Sequence, residues 1–89
     1  MTARDLLFNT YLQAKDEPNR DVQEIAEEII DREGATDEEL DKFWVTLYYG
    51  NFIYTNPCSG TSEFYSDVNI NKIIETAQAL EGQDLKGLL

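Results

Sequence analysis

The chain contains no histidine, and this absence removes the side chain that most often acts as a general base or metal ligand. It also has no glycine-rich phosphate loop, no Gly-x-Ser-x-Gly motif around a nucleophile and no zinc-binding spacing of cysteines. No stretch follows the alternating acidic pattern of a calcium loop. We therefore expect a binding protein that is not an enzyme and that uses no catalytic residues, no cofactor and no metal ion.

Cysteine is almost absent, and long apolar runs are missing. The single cysteine, Cys58, has no partner for an internal disulfide. No run approaches the roughly 18–20 apolar residues that cross a bilayer, residues 1–14 lack a signal-peptide layout, and no Asn-x-Ser/Thr site occurs. These features favour the cytoplasm and predict no membrane contact.

Basic residues are scarce: seven stand against 18 acidic ones, which gives a net charge of −11. The imbalance is concentrated in residues 16–41, which hold twelve carboxylates but only Arg20 and Arg32 as bases. Such a segment repels nucleic acid and anionic membranes and attracts basic surfaces. We expect a basic protein as the partner, with no direct binding of nucleic acid.

Enough apolar residues are present for one folded domain spanning residues 1–89. Hydrophobic residues make up 42% of the chain and aromatic residues 11%, well above the content of a disordered acidic tail. We predict a mainly α fold of about four helices, with a small β-hairpin inserted between helices 3 and 4. An α+β arrangement is the alternative.

The first two helices are predicted from apolar periodicity. Helix 1 spans residues 3–14 behind Thr2 as N-cap, and a turn around Pro18 follows. Its predicted apolar face consists of Leu7, Phe8, Tyr11 and Leu12. Helix 2 spans residues 20–32, with Gly34 at its C-terminal end. Its apolar stripe consists of Val22, Ile25, Ala26, Ile29 and Ile30.

Thr36 and Glu39 form a capping-box pattern that starts helix 3, in which each side chain would bond the other's backbone amide. Gly50 ends this helix, and the short link predicts that helices 2 and 3 form an antiparallel pair. The core-facing residues of helix 3 are Leu40, Phe43, Trp44 and Leu47. A strand over residues 43–49 is the competing interpretation, because aromatic and β-branched residues gather there.

Residues 52–55 and 62–66 flank a turn-rich loop and predict the hairpin. Helix 4 is predicted over residues 68–81, capped by Ser66 or Asp67 and closed by Gly82. Its expected buried residues are Ile70, Ile73, Ile74, Ala77 and Leu80. Residues 84–89 are expected to pack their leucines or to fray.

The acidic face of helix 2 is the first candidate site. At about 100° per residue, five carboxylates fall opposite the isoleucine stripe and recur about every 4 Å along the axis. One DNA strand presents a phosphate about every 3.4 Å, so the row is spaced like a phosphate backbone. A second row would come from helix 3. The predicted partner-binding acids are Asp21, Glu24, Glu27, Glu28, Asp31, Asp37, Glu38 and Asp41.

A solvated helix face is the alternative interpretation of this row, since a helix needs a polar outer side. The scarcity of basic neighbours favours recognition, because like charges four residues apart repel each other. Tyr49 completes the candidate site. With Val45 it is expected to point outward beside Glu38 and Lys42, with Tyr48 at the edge, where a tyrosine can anchor an interface.

These features favour an inhibitor that occupies the DNA or RNA site of a basic, nucleic-acid-handling protein. Phages and mobile elements direct proteins of this kind against restriction or CRISPR enzymes. An immunity or antitoxin protein that neutralises a cognate toxin, with Tyr48 and Tyr49 as anchors, is the alternative. A structural or assembly factor of a larger particle is another. An acyl-carrier role is disfavoured because no Asp-Ser-Leu tripeptide occurs. We expect a monomer or a small homo-oligomer.

Overall fold

The first helix, α1 (Ala3–Asp16), is the element around which the others assemble in the computed structural model, which describes residues 1–80. Helices α2 (Val22–Glu33), α3 (Asp37–Tyr49) and α4 (Ile70–Leu80) each pack against it. Strands β1 (Ile53–Thr55) and β2 (Ser62–Phe64) form an antiparallel hairpin between α3 and α4. The predicted fold class is confirmed: the chain is mainly α with a small β element.

Helix α1 buries Leu7 and Tyr11 of its predicted apolar face, but the prediction is wrong for Phe8 and Leu12. Phe8 and Leu12 are 45% and 44% exposed, whereas Leu6 and Thr10 are fully buried beside Leu7 and Tyr11. Three consecutive apolar residues, 6–8, allow either stripe at helical spacing. The buried stripe is the one that includes a polar threonine, which the apolar pattern alone would not select.

The ends of α1 follow local chemistry. The Thr2 hydroxyl oxygen accepts a hydrogen bond from the Asp5 amide at 3.2 Å, which confirms the predicted N-cap. The helix continues to Asp16, two residues beyond its predicted end, because a proline restricts mainly the residue before it. That residue, Glu17, leaves the helical region with φ −128° and ψ 69°.

Helix α2 buries its predicted stripe. Val22, Ile25, Ala26 and Ile29 are at most 1% exposed, and Ile30 packs at the edge of the core. The helix begins at Val22 rather than Arg20, since the Asp21 side chain takes the N-cap position. Gly34 ends it with a positive φ of 79°, as predicted.

Helix α3 is confirmed over the stretch for which a strand was the alternative. Thr36 caps it by accepting from the Glu39 amide at 3.3 Å. The reciprocal half of the predicted capping box is wrong, because the Glu39 carboxylate accepts from the Ala3 amide at 2.6 Å instead. The predicted pairing of helices 2 and 3 is also wrong: α3 packs against α1 and α4, not alongside α2.

A Schellman-type arrangement closes α3. The Phe52 amide donates to the Leu47 carbonyl at 3.1 Å, and the Asn51 amide donates to the Tyr48 carbonyl at 3.2 Å. Asn51 takes the left-handed position with φ 54°, while Gly50 stays in the right-handed helical region. Gly50 is thus the last cap residue, as predicted, but its neighbour makes the turn.

Helix α4 starts two residues later than predicted. The Asn69 side chain accepts from the Lys72 amide at 3.0 Å, so Asn69 caps the helix in place of Ser66 or Asp67. Ile73 and Leu80 are buried, and Ile70, Ile74 and Ala77 are half-buried. The predicted closure at Gly82 and the tail over 84–89 lie outside the described residues.

The hairpin packs against α1, and the segment that follows it is hydrogen-bonded to α1. Ile53 pairs with Phe64, and the Phe64 ring meets the Tyr11 ring edge-on at 5.4 Å. The Tyr11 hydroxyl donates to the Val68 carbonyl at 3.0 Å, which fixes the chain just before α4 to α1. The hairpin therefore belongs to the core through one of its faces and exposes the other.

Candidate partner-binding surface

Asp21, the first of the predicted acidic row, holds two backbone segments together. Its Oδ1 atom accepts from the Gln23 amide at 3.0 Å, which caps α2, and from the Ser62 amide at 3.1 Å, which joins α2 to the hairpin. The side chain is only half exposed. These contacts give Asp21 a structural task whether or not it also meets a partner.

Arg20 forms ion pairs with two members of the predicted acidic row, Glu24 and Glu28. Its guanidinium donates to Glu24 at 2.6 Å and to Glu28 at 2.5 Å, and lies 3.4 Å from Glu17. The hydrogen bonds to Glu24 and Glu28 raise the pKa of the Arg20 guanidinium above its ordinary value. The predicted row is thus partly neutralised. In the sequence, the spacing of four residues from Arg20 to Glu24 and from Glu24 to Glu28 indicates that these side chains can meet on one face of the helix.

Glu27 and Asp31 remain as bare charges on α2. Both are exposed, and neither forms an ion pair with any base among residues 1–80. The Glu27 carboxylate accepts only a long bond of 3.4 Å from the Gln23 side chain. Arg32, which could have met Asp31, lies 3.4 Å from Glu33 instead. Two carboxylates one helical turn apart therefore face solvent without compensation.

The three predicted acids of α3 are all exposed, and one of them has a basic neighbour. Glu38 lies 3.6 Å from the Lys42 ammonium, which also lies 3.8 Å from Glu39. Asp37 and Asp41 have no ion pair within the described part of the chain. Because α3 does not pack alongside α2, these acids are not a second row on a helix adjoining the first.

Tyr49 is 61% exposed, so its outward orientation is confirmed. Val45, which was predicted to point outward with it, is only 3% exposed, and that prediction is wrong. Tyr48 is more exposed than the edge position predicted for it, at 65%, and its ring stacks on the Trp44 ring at a centroid distance of 6.0 Å. The sequence analysis missed this stack, although the two residues stand four positions apart on a helix.

A second aromatic pair lies on the hairpin. The rings of Tyr54 and Tyr65 are 4.8 Å apart, and both residues are a little over one third exposed. Cys58 is also exposed, in the loop between the strands. The hairpin carries Glu63 as its own acid, and the Asn56 side chain donates to it at 2.8 Å.

A cleft of about 600 Å³ opens between α1, α3 and α4. Phe8, Ile74 and Leu80 contribute apolar surface, and Arg4 and Lys42 contribute positive charge. Asp5 and Glu39 also line the cleft, so its charges balance and it does not continue the acidic surface.

Within residues 1–80, no three cysteine or carboxylate side chains are grouped closely enough to hold a metal ion. None of the helices in this part of the chain combines the length and the apolar character needed to cross a membrane. Comparisons with protein-family models, with curated proteins and with solved structures found no match for the chain.

Proposed function

We propose that the protein binds a basic, nucleic-acid-handling protein and blocks the surface on which that partner holds phosphates. The observation that carries the proposal is a set of exposed carboxylates on two helices that form no ion pair with a base among residues 1–80: Glu27, Asp31, Asp37 and Asp41. A fold that needed only a solvated outer face would pair such charges with lysine or arginine, because uncompensated like charges destabilise a helix.

The contacts of Arg20 reduce the number of carboxylates on α2 that are free to mimic phosphates, but they do not remove all of them. Glu27 and Asp31 are separated by about 6 Å along the helix axis, close to the roughly 6.8 Å that spans two phosphate steps of a DNA strand. The Glu24 and Glu28 side chains are 62% and 53% exposed, so a basic group of a partner can still approach them. The proposal places the protein in the cytoplasm, and the exposed single thiol of Cys58 supports a reducing compartment.

Charge reversal with a matched control tests the proposal. The double variant Glu27→Lys with Asp31→Lys changes the α2 surface, and Asp67→Lys with Glu75→Lys makes the same change in net charge at other exposed positions. Each protein is immobilised, exposed to lysate of its natural host, and eluted with short duplex DNA at low salt. We expect the duplex to release bound proteins from the unaltered chain and from the control, and the α2 variant to retain far less.

Salt should weaken this binding steeply, because screening acts on exposed charges. Equal retention by the α2 variant and the unaltered chain would reject the proposed surface. If the captured proteins stay bound when duplex DNA is added, this chain and DNA do not compete for the same site, and that part of the proposal is rejected.

An immunity protein for a cognate toxin is the second candidate, and the exposure of both Tyr48 and Tyr49 favours it. Tyrosines with an apolar ring and a polar tip are frequent energetic anchors of interfaces. In that case Tyr49→Ala should weaken binding to a toxin encoded beside this gene more than any single acid substitution does. A neutral effect of Tyr49→Ala on that binding would count against this candidate.

A further inference from the structure

One face of α3 combines acids and aromatic rings in a continuous line. At about 100° per residue, positions 37, 41, 44 and 48 fall within about 60° of one another and extend over about 16 Å. The residues are Asp37, Asp41, Trp44 and Tyr48. We call this set the α3 stripe. It runs from the negatively charged start of the helix to the half-buried Trp44 ring and the exposed Tyr48 ring near its end.

The carboxylates of the α3 stripe are open to a partner. Asp37 and Asp41 are exposed and form neither an ion pair nor a side-chain hydrogen bond with any residue in 1–80. The basic residue of this helix, Lys42, is drawn toward Glu38 and Glu39. At the helical spacing, Lys42 lies about 100° away from Asp41 around the axis.

The rings of the α3 stripe form a supported platform. Phe43 is fully buried and meets the Trp44 ring at 4.8 Å with an interplanar angle of 73°, which ties Trp44 to the core. Tyr48 stacks on Trp44 at an interplanar angle of 26° and remains 65% exposed. A flat, electron-rich ring held this way offers its free face to a partner.

We propose that the α3 stripe binds a basic surface of the partner, with an arginine guanidinium over the free face of the Tyr48 ring and other basic groups of the same surface attracted to Asp37 and Asp41, which lie at least about 10 Å further along the helix. Stacked aromatic rings attract cations, and the planar guanidinium stacks and pairs with carboxylates better than a lysine ammonium. The negative charge of the face selects a basic protein surface rather than nucleic acid or an anionic membrane. This inference rests on the proposed function, since it specifies how the basic partner is recognised.

The chain has a single tryptophan, so fluorescence excited where the five tyrosines absorb little comes from Trp44, within the α3 stripe. The probes are an arginine-only peptide and a lysine-only peptide of equal length, titrated separately into the full chain. We expect the arginine peptide to bind about fivefold more tightly than the lysine peptide and to change the Trp44 emission more strongly.

Five variants separate this contact from general charge attraction. Tyr48→Ala should bring the arginine-to-lysine affinity ratio close to one, whereas Tyr48→Phe, which keeps the ring, should preserve it. Asp41→Asn should weaken the binding of both peptides and leave their ratio unchanged. Tyr54→Ala and Asp67→Asn are the matched controls on other exposed surfaces, and both should leave the ratio unchanged. Thermal melts confirm that each variant is folded.

The outcomes are distinct. Equal binding of the two peptides to the unaltered chain, or an unchanged ratio in Tyr48→Ala, would overturn the α3 stripe while leaving a basic partner in place. Failure of both peptides to bind at low salt would overturn the proposed function together with this inference.

Discussion

The Glu39 carboxylate accepts a hydrogen bond from the backbone amide of Ala3 at 2.6 Å, so a side chain of α3 caps the N-terminus of α1. The first amides of a helix have no partner within it, and a negative charge at that end also meets the positive pole of the helix dipole. This contact joins two helices that both contribute to the core. Glu39 thereby acts at a distance of 36 residues rather than within its own capping box.

Replacing Glu39 tests how much this cap contributes to the stability of the protein. We expect Glu39→Gln to lower the free energy of unfolding by about 1 kcal/mol, and Glu39→Ala by about 1–2 kcal/mol, in urea denaturation. Glu38→Gln is the matched control, because Glu38 also lies near Lys42 but its side chain is 77% exposed. A loss in Glu38→Gln as large as that in Glu39→Gln would show that the effect is not the cap.

Replacing the buried Thr10 with an apolar residue of similar shape should stabilise the protein. Its hydroxyl oxygen is buried and has no hydrogen-bond partner among the described residues. Thr10→Val removes an unsatisfied polar atom at nearly constant shape and should raise the free energy of unfolding by about 1 kcal/mol.

Thr46 provides the control for Thr10, because it is equally hidden but its hydroxyl donates to the Lys42 carbonyl at 2.7 Å. Thr46→Val should give no gain, since it removes a satisfied hydrogen bond. Equal stabilisation by both substitutions would mean that the missing partner of Thr10 is not the cause.

Arg20 should matter more to stability than Arg32. Arg20→Gln leaves Glu17, Glu24 and Glu28 without their shared base and should lower the thermal midpoint, whereas Arg32→Gln removes one exposed contact and should change it little. The raised pKa of Arg20 keeps its charge throughout the usual pH range, so alkaline solution will not mimic the substitution. The difference between the two variants should shrink as salt is added. Equal midpoints at low salt would contradict the shared role of Arg20.

Adjacent substitutions at the end of α3 should have opposite signs. A Cβ atom on Gly50 would overlap the buried Phe52 ring, so Gly50→Ala should lower the free energy of unfolding by about 1–3 kcal/mol. Asn51→Gly should raise it by less than about 1 kcal/mol, because glycine occupies the left-handed position without strain. Chemical denaturation measures both, and stabilisation by Gly50→Ala would refute the overlap.

The features that could be predicted from sequence were those encoded within one element. The α2 stripe, the Thr2 and Thr36 caps and the end of α3 all depend on residues a few positions apart. The partner of Glu39 could not be found in this way, since it lies on another helix. The same holds for the buried face of α1, because the helices that surround it decide which of two apolar stripes is covered.

For the candidate partner-binding surface, too, contacts within one element could be predicted from the sequence and contacts between elements could not. The exposure of Tyr49 followed from helical spacing, and so in principle did the contacts of Arg20 with Glu24 and Glu28. The second contact of Asp21, with the Ser62 amide, joins residues 41 positions apart and has no local signal. Sequence patterns therefore locate the charge, while tertiary contacts determine which carboxylates remain free.

The position of α1 at the centre of the helices sets an order of events during synthesis. Helix α4 packs on α1 and is made after the other described elements, and the hydrogen bond from Tyr11 to Val68 spans 57 positions. At the usual speed of a ribosome, roughly 3–11 s separate the addition of these two residues. During that interval the nascent chain can cover α1 with α2, then α3 and then the hairpin, so the apolar side that awaits α4 is the one that stays exposed to a chaperone.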